Sequence, residues 1–301
     1  MTALLEWIRA GYHDRCGNPA LQKECWEKLR SEYPPLLEPS EKRASTLISS
    51  EAGDLGLSLL WIVQASLLGP IISEAGYALP GRIEGIGALA HSEKNDPVIL
   101  DGGLALSGTK NYITGGRTSD YIIVTARRPG EDRISAMVYV STDRLPEGSL
   151  SSIDLGSLRT ADHGRLVLKN FRAGKDDIVM DDGAAVRSAI KRWSMIERSL
   201  ILESYLHYML YLFNRTRETA AVPGLDADSL EIMISEQAKT ADRQIESALN
   251  GERIEDAGTD FMKIISSANT IHEAASKIEP LPEEMRYRLS DLSFLTKLRF
   301  I

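Results

Sequence analysis

The sequence is poor in cysteine. Cys16 and Cys25 are its only cysteines, and neither a CxxC pair nor a Cys/His cluster accompanies them. This pattern favours neither a disulfide framework nor a metal site, so we expect no metal and a reducing, cytoplasmic location. The N-terminus has no charged segment followed by an apolar core, so we also expect no secretory signal.

Basic residues are fewer than acidic residues. Lys and Arg total 35 against 43 Asp and Glu, which gives a net charge of −8. An acidic protein is a poor non-specific partner for nucleic acid or an anionic membrane, so we expect neither. Hydrophobic residues make up 43% and charged residues 26% of the chain, which is typical of a globular protein.

One stretch lacks charge altogether, between Asp54 and Glu74. Its length would permit a membrane span. However, Gln64 and Gly69-Pro70 dilute its apolar character, and no basic flank follows it. We therefore predict no membrane span, but a buried helix of a soluble protein that ends near Gly69-Pro70.

Hydrophobic patterning divides the chain into three parts. Residues 1–85 and 181–301 show a helical period, whereas residues 86–180 consist of short β-type runs separated by turn signals. The expected α+β arrangement is an N-terminal helical domain (1–85), a middle antiparallel β-barrel or pair of packed sheets (86–180) and a C-terminal helical bundle (181–301).

Helical period and cap residues predict four helices in the last part, and short links between them imply a four-helix bundle. The first helix is expected to begin after Asp182-Gly183 and to end at about Arg217, and the second to begin at an N-cap at Asp226. The third is expected to begin at an N-cap at Thr259 and to end at Pro280 and Pro282, and the fourth to cover Leu289–Leu298.

Residues 101–126 are the most informative stretch. They read Asp101-Gly-Gly-Leu-Ala-Leu-Ser-Gly-Thr-Lys-Asn-Tyr-Ile-Thr-Gly-Gly and then Ser119-Asp120-Tyr-Ile-Ile-Val-Thr-Ala126. This resembles the middle β-domain of the acyl-CoA dehydrogenase family, where Leu-Asn-Gly-x-Lys-x-Trp-Ile-Thr precedes a glycine loop and Ala-Asp-x-x-x-Val. Arg133-Ile-Ser-Ala-Met-Val and Leu155-Gly-Ser-Leu-Arg-Thr-Ala are similar to two further family segments. The resemblance covers nearly the whole chain and implies an acyl-CoA dehydrogenase-like fold.

The resemblance implies an FAD-dependent oxidoreductase that acts on the CH–CH group of an acyl thioester such as acyl-CoA, in fatty acid metabolism. Family members remove an α-proton and transfer a hydride from the β-carbon to the flavin. They usually pass electrons to an electron-transfer flavoprotein and form oligomers. A homo-oligomer, or a hetero-oligomer with a relative, is therefore expected. The run Tyr208–Phe213, which is apolar on nearly every side of a helix, favours the same conclusion.

Flavin contacts follow from the same resemblance. Tyr112, Ile113 and Thr114 stand where the family's Trp-Ile-Thr packs against the flavin, and Leu89 opens the segment similar to the family's Leu-Thr-Glu-Pro loop. Arg217 matches the arginine of the Arg-x-x-Phe-Gly turn that grips the ADP half. Taken alone, a tyrosine in a strand and a threonine at a turn are common structural residues.

The glycine-rich loop that completes the family's ADP site has no counterpart here. Lys277-Ile-Glu-Pro-Leu-Pro-Glu283 stands in its place. Prolines offer no N–H groups and acidic residues add like charge, so this segment is a poor pyrophosphate cradle.

Glu197 is the candidate catalytic base. Most family members use a glutamate in Ile-Tyr-Glu-Gly-Thr, where this chain reads Leu295-Thr-Lys-Leu-Arg-Phe-Ile. Isovaleryl-type and long-chain-type relatives place it in Leu-x-x-Glu-Arg-Leu, which Met195-Ile-Glu-Arg-Ser-Leu resembles.

Helix geometry gives an independent reason. Trp193, Glu197 and Ile201 lie on one apolar stripe at four-residue spacing, so the pKa of Glu197 should rise, which suits a base. A carboxylate paired with a cation elsewhere in the bundle is the alternative. Glu203, with Ser199 and His207 beside it, is expected to be solvated.

Three functions stay open at this point. The first is the acyl-CoA dehydrogenase-like oxidoreductase. The second is a degenerate, FAD-poor partner subunit of a full-length relative, without activity of its own. The third is a flavin monooxygenase on the same fold.

Overall fold

The computed structural model describes residues 2–33, 43–79, 85–93, 96–254 and 261–295. Within these residues the chain runs from helices to strands and back to helices, in the expected order. The helices are α1 Thr2–Ala10, α2 Tyr12–Arg15, α3 Pro19–Glu32, α4 Ala44–Leu47, α5 Leu55–Ile62, α6 Gly69–Glu74, α7 Gly183–Arg217, α8 Ala227–Leu249, α9 Phe261–Ala275 and α10 Glu283–Asp291. The strands are β1 Gly87–Ala90, β2 Ile99–Leu100, β3 Ala105–Thr114, β4 Tyr121–Ala126, β5 Ala136–Ser141, β6 Leu150–Ser152, β7 His163–Arg172 and β8 Ile178–Met180.

The uncharged stretch forms one continuous helix from Leu55 to Glu74. The expectation that this helix ends near Gly69-Pro70 is wrong. A π-helical turn over Val63–Leu68 joins α5 to α6, so the helix continues through Gly69 and Pro70. Pro70 lies in the first turn of α6, where its missing N–H is tolerated. By length and composition alone the helix could cross a membrane, but 89% of its most apolar window is buried inside the protein.

The strands form two four-stranded sheets, in the orders β1-β4-β5-β8 and β2-β3-β7-β6, rather than one closed barrel. A shared core between the sheets contains Leu106 and Ile113 of one sheet and Val124 and Val138 of the other. The expectation of a fully antiparallel domain is wrong at one place, because β1 runs parallel to β4. β2 and β3 of the other sheet lie between them in sequence, so the chain returns in the same direction.

The C-terminal helices follow the predicted caps at their starts. Asp182 accepts hydrogen bonds from the first-turn N–H groups of α7, and Asp226 accepts one from Ser229 N–H at the start of α8. The N-cap prediction at Thr259 falls outside the described residues.

The last two helices differ from the expected limits. α9 ends at Ala275, before the two prolines. α10 covers Glu283–Asp291 and begins directly after Pro282, not at Leu289. The segment is mostly polar, so the hydrophobic period could not reveal its first turns. The predicted end at Leu298 lies outside the described residues.

The largest core joins the helix Leu55–Glu74, α7 and the outer face of the sheet that contains β4 and β5. Tyr208, Met209, Leu212 and Phe213 are buried in it within a single chain. The apolar run therefore needs no partner chain to cover it. Oligomerisation stays a prediction that rests on the family resemblance.

Candidate functional site

The end of β3 is distorted where the resemblance places the flavin wall. The register between β3 and β7 slips between Lys110 and Ile113, and Tyr112 within this slip has a left-handed backbone with φ 58°. Such bulges re-aim a side chain, and a left-handed non-glycine residue is strained by about 1–3 kcal/mol. Strain of this kind persists where the surrounding fold imposes it, often at a functional site.

The three consecutive residues of this motif do not share one environment. Tyr112 and Thr114 are half-buried. Ile113 is completely buried in the core between the two sheets. Its side chain therefore faces away from those of Tyr112 and Thr114, because successive residues of a strand point to opposite faces. A contact between Ile113 and a cofactor stays a prediction.

His163 of β7 lies directly opposite Thr114. The Gly115 N–H donates to the Asp162 carbonyl at 2.8 Å, so Thr114 and His163 form the adjacent non-hydrogen-bonded pair, in which opposing side chains are closest. His163 is only 5% exposed, and burial lowers its pKa to about 4, although Asp162 and a backbone hydrogen bond with Leu158 oppose the shift. The ring is thus neutral at physiological pH. Among the described residues its Nε2 has no hydrogen-bond partner.

A glycine loop holds this pair in place. A Cβ on Gly116 would come within 2.5 Å of Asp162 Oδ2 and 2.7 Å of Gly164 N, so only glycine fits there. Asp162 accepts a 2.6 Å hydrogen bond from the Arg117 N–H and a short one from Ser152 Oγ. The loop and the carboxylate together fix the ends of β3 and β7.

The long apolar helix is tied to β1 beside this loop. Gln64 Nε2 donates to the Gly87 carbonyl at 2.5 Å, and the Gly87 N–H donates to Gln64 Oε1 at 3.0 Å. A Cβ on Gly115 would lie 3.1 Å from Leu60 of the same helix. Leu89, two residues after Gly87, is half-buried and packs against the core that α7 shares. The helix Leu55–Glu74 therefore contacts both β1, which contains Leu89, and the loop after β3.

Glu197 lies on α7 in the environment that its stripe predicts. Trp193 and Ile201 are buried, and Glu197 is half-buried. Burial raises the pKa of Glu197 to about 7, and Arg198 opposes the shift. None of the ion pairs between described residues includes Glu197. Within these residues, the structure therefore does not support the alternative in which Glu197 is paired with a cation. Trp193 Nε1 donates to Glu74 at 2.9 Å, which anchors the stripe to the end of the long helix.

We expect Glu197→Gln to stabilise the protein at about pH 8 but not at about pH 4. The folded-state pKa is raised from an ordinary 4.5 to about 7. The folded state therefore binds the proton more tightly, and the wild type loses stability as the pH rises through this window. Gln cannot ionise and avoids this loss, which should be on the order of 1–2 kcal/mol at a partly screened site. Urea unfolding at both pH values measures the difference; an equal effect at both would contradict it.

Glu203 is not solvated, contrary to the sequence-based expectation. Its side chain is 1% exposed and pairs with the guanidinium of Arg43, which also pairs with Asp242. Burial raises the pKa of Glu203 to about 7, against the opposing effect of Arg43. Arg43 lies 160 residues away, so no local pattern could have shown this pair.

The contact of Arg217 with the ADP half of FAD stays a prediction. Arg217 is exposed at the end of α7, with its guanidinium 5.5 Å from the ring centre of Phe213. The segment from Lys277 to Glu283 is mostly exposed, with two prolines and two acidic residues. It supplies no run of backbone N–H groups for a pyrophosphate.

Three side chains lie at the end of β3, where the resemblance places the flavin ring. Tyr112 carries an aromatic ring, Thr114 a hydroxyl group, and His163 a buried nitrogen that has no hydrogen-bond partner among the described residues. Aromatic and hydrogen-bonding groups of this kind suit a polar heteroaromatic ring. His163 could not be predicted from the sequence, because only the pairing of β3 with β7 places it opposite Thr114.

Comparison with known proteins identifies the fold. No protein-family model and no curated protein matches the chain. An acyl-CoA dehydrogenase from Geobacillus kaustophilus matches over 98% of this chain and 91% of its own, with 14% identity and a TM-score of 0.60. PigA with FAD and proline matches over 95% of this chain and 87% of its own, with 13% identity and a TM-score of 0.66. The dibenzothiophene monooxygenase TdsC from Paenibacillus sp. A11-2 matches over 99% of this chain and 91% of its own, with 16% identity and a TM-score of 0.65.

The matched structures carry different activities in their names, and identities this low speak for the fold alone. Their matches extend over nearly the entire chain, through both helical parts and the strands between them. The chain therefore has the acyl-CoA dehydrogenase fold.

Proposed function

We propose that the protein is a flavin-dependent oxidoreductase that acts on the CH–CH group of an acyl thioester, with Glu197 as the general base. The observation that carries this proposal is the half-buried carboxylate of Glu197, without a paired cation among the described residues and with a pKa raised by burial to about 7. A base is most effective when its pKa lies near the operating pH, so this carboxylate suits α-proton abstraction.

The chain's own residues would divide the work as follows. When bound, FAD supplies the hydride acceptor. Tyr112 and Thr114 would hold the flavin ring at the end of β3, and Leu89 would contribute an apolar wall. The Glu197 carboxylate would accept the α-proton of the substrate. Trp193 and Ile201, which are buried on the same stripe, would limit the access of water to it.

We expect Tyr112→Ala and Thr114→Ala each to weaken FAD binding. The first variant removes an aromatic contact, worth about 0.5–1.5 kcal/mol, and the second removes one hydrogen bond, worth about 0.5–1.5 kcal/mol. Each change should therefore raise the Kd of FAD several-fold. Titration of the protein followed by flavin fluorescence measures it.

Two controls match these variants in residue type. Tyr287→Ala on α10 and Thr240→Ala on α8 change residues outside the β-strand region, and both should bind FAD as the wild type does. Equally tight binding by all five proteins would refute the assigned contacts. Binding too weak to measure in the wild type would refute the flavin function itself.

A second function is supported by the absence of a recognisable ADP grip in the described residues. The exposed Arg217 and the acidic, proline-containing segment after Lys277 favour an FAD-poor subunit that acts as the partner of a full-length relative. The flavin content of the purified protein separates the two proposals. A yellow protein with stoichiometric flavin supports the enzyme, whereas a colourless protein that co-purifies with a flavin-loaded relative supports the partner subunit.

The other features of the reaction remain proposals that rest on the fold. These are electron transfer to an electron-transfer flavoprotein, oligomerisation, and a role in fatty acid metabolism. The match to a monooxygenase keeps flavin-dependent oxygenation as an alternative. Oxygenation needs no α-proton abstraction, so it would not depend on Glu197.

A further inference from the structure

Resting on the proposed flavin function, we infer that His163 is a further flavin-binding residue, whose Nε2 accepts a hydrogen bond from an N–H or O–H group of the bound flavin. His163 and Thr114 face each other across β7 and β3. Their neighbours Ile113 and Gly164 lie on the inner side, where a Cβ on Gly164 would be 3.6 Å from the Cβ of Ile113. Side chains alternate along a strand, so His163 and Thr114 share the outer face of the sheet.

The hydrogen-bond polarity of the imidazole is determined by its surroundings. The backbone hydrogen bond with Leu158 raises the pKa of His163, so the ring donates its N–H to the Leu158 carbonyl. Because Nε2 has no partner in the described part of the chain, the donating atom is Nδ1. The ring is neutral, and a neutral imidazole carries one N–H. Nε2 therefore holds a lone pair and can only accept.

An acceptor buried without a partner costs about 1–3 kcal/mol, and native proteins rarely leave one in this state. The nearest carboxylate, Asp162, cannot serve, because it also accepts and is already bonded to Arg117 and Ser152. No donor among the described residues therefore satisfies the Nε2 acceptor.

This polarity limits the ligand that fits. The ring of a flavin has one N–H at N3, and the ribityl chain carries hydroxyl groups, whereas the ring's carbonyl oxygens and its N1 and N5 are acceptors in the oxidised state. A lone pair on Nε2 repels the acceptors and attracts the donors. His163 should thus fix which edge of the flavin lies against Thr114.

The test uses two substitutions that each keep one half of the imidazole. In His163→Asn the amide occupies the position of Nδ1, so it can still donate to Leu158 but offers nothing where Nε2 lay. In His163→Gln the amide reaches the position of Nε2, where its oxygen can accept. We expect His163→Asn to raise the Kd of FAD about tenfold, by loss of one buried hydrogen bond, and His163→Gln to restore most of it. Urea unfolding without flavin checks that both variants are folded.

Two analogues then identify the donor. 3-Methylriboflavin lacks the ring N–H, and lumiflavin lacks the ribityl hydroxyls. One of them should bind the wild type more weakly than riboflavin does, but bind His163→Asn no more weakly. If FAD binds wild type and His163→Asn equally, this inference is overturned and the flavin function stands, with a bound water as the partner of Nε2. If both analogues lose affinity equally in the two proteins, the inference is likewise overturned. If the wild type binds no flavin, the proposed function and this inference fail together.

Discussion

Glu197→Gln is expected to lower the rate of acyl-CoA-dependent flavin reduction on the order of a hundredfold or more, with the flavin content unchanged. Gln keeps the shape of the side chain but cannot accept a proton. The carboxylate is half-buried on an apolar stripe, and its pKa of about 7 leaves it largely ionised only above neutral pH. The wild-type rate should therefore rise with pH through about 7, and this rise should vanish in the variant. Stopped-flow absorbance of the flavin measures both effects.

The control for this experiment must be an exposed carboxylate. Glu246→Gln on α8 is suitable, because Glu246 is exposed. Glu203→Gln is unsuitable, since Glu203 is buried against Arg43 and its replacement would disturb the bundle. Flavin bleaching at the wild-type rate in Glu197→Gln would show that another group is the base, or that the reaction needs none.

Arg43→Ala is expected to lower the free energy of unfolding by about 3–5 kcal/mol, because it leaves the carboxylate of Glu203 buried without its partner. Both side chains of the pair are almost completely buried, at 4% and 1% exposure. The loss should be smaller at about pH 5 than at about pH 8. Glu203 has a folded-state pKa of about 7 and is neutral at the lower pH, where it needs a countercharge less. Urea unfolding at both pH values measures the loss.

Two comparisons separate this effect from a simple loss of contacts. Arg215→Ala removes an arginine from an exposed pair with Glu218 and should cost less than about 1 kcal/mol. A double variant with Leu in place of both Arg43 and Glu203 should be more stable than Arg43→Ala, because it leaves no buried charge. A double variant that is less stable than the single one would show that the pair contributes more than charge compensation.

The sequence predicted well what neighbouring residues decide. Strand and helix periods, the caps Asp182 and Asp226, and the motif over residues 101–126 depend on residues within a few positions of one another, so they can be recognised without a structure. The apolar stripe around Glu197 belongs to the same class. The start of α10 was missed because its first turns are polar.

The sequence by itself thus determined the order of helices and strands, the fold that this order and its motifs resemble, and Glu197 as a carboxylate on an apolar helix face. Only the tertiary structure decided the environment of each candidate residue. It buried Glu203 by bringing Arg43 to it from 160 residues away, turned β1 parallel to β4, buried Ile113 between the sheets, and placed His163 opposite Thr114. The physical reason is that burial, countercharge and strand register arise from contacts between residues far apart in the chain, which periodicity and spacing do not encode.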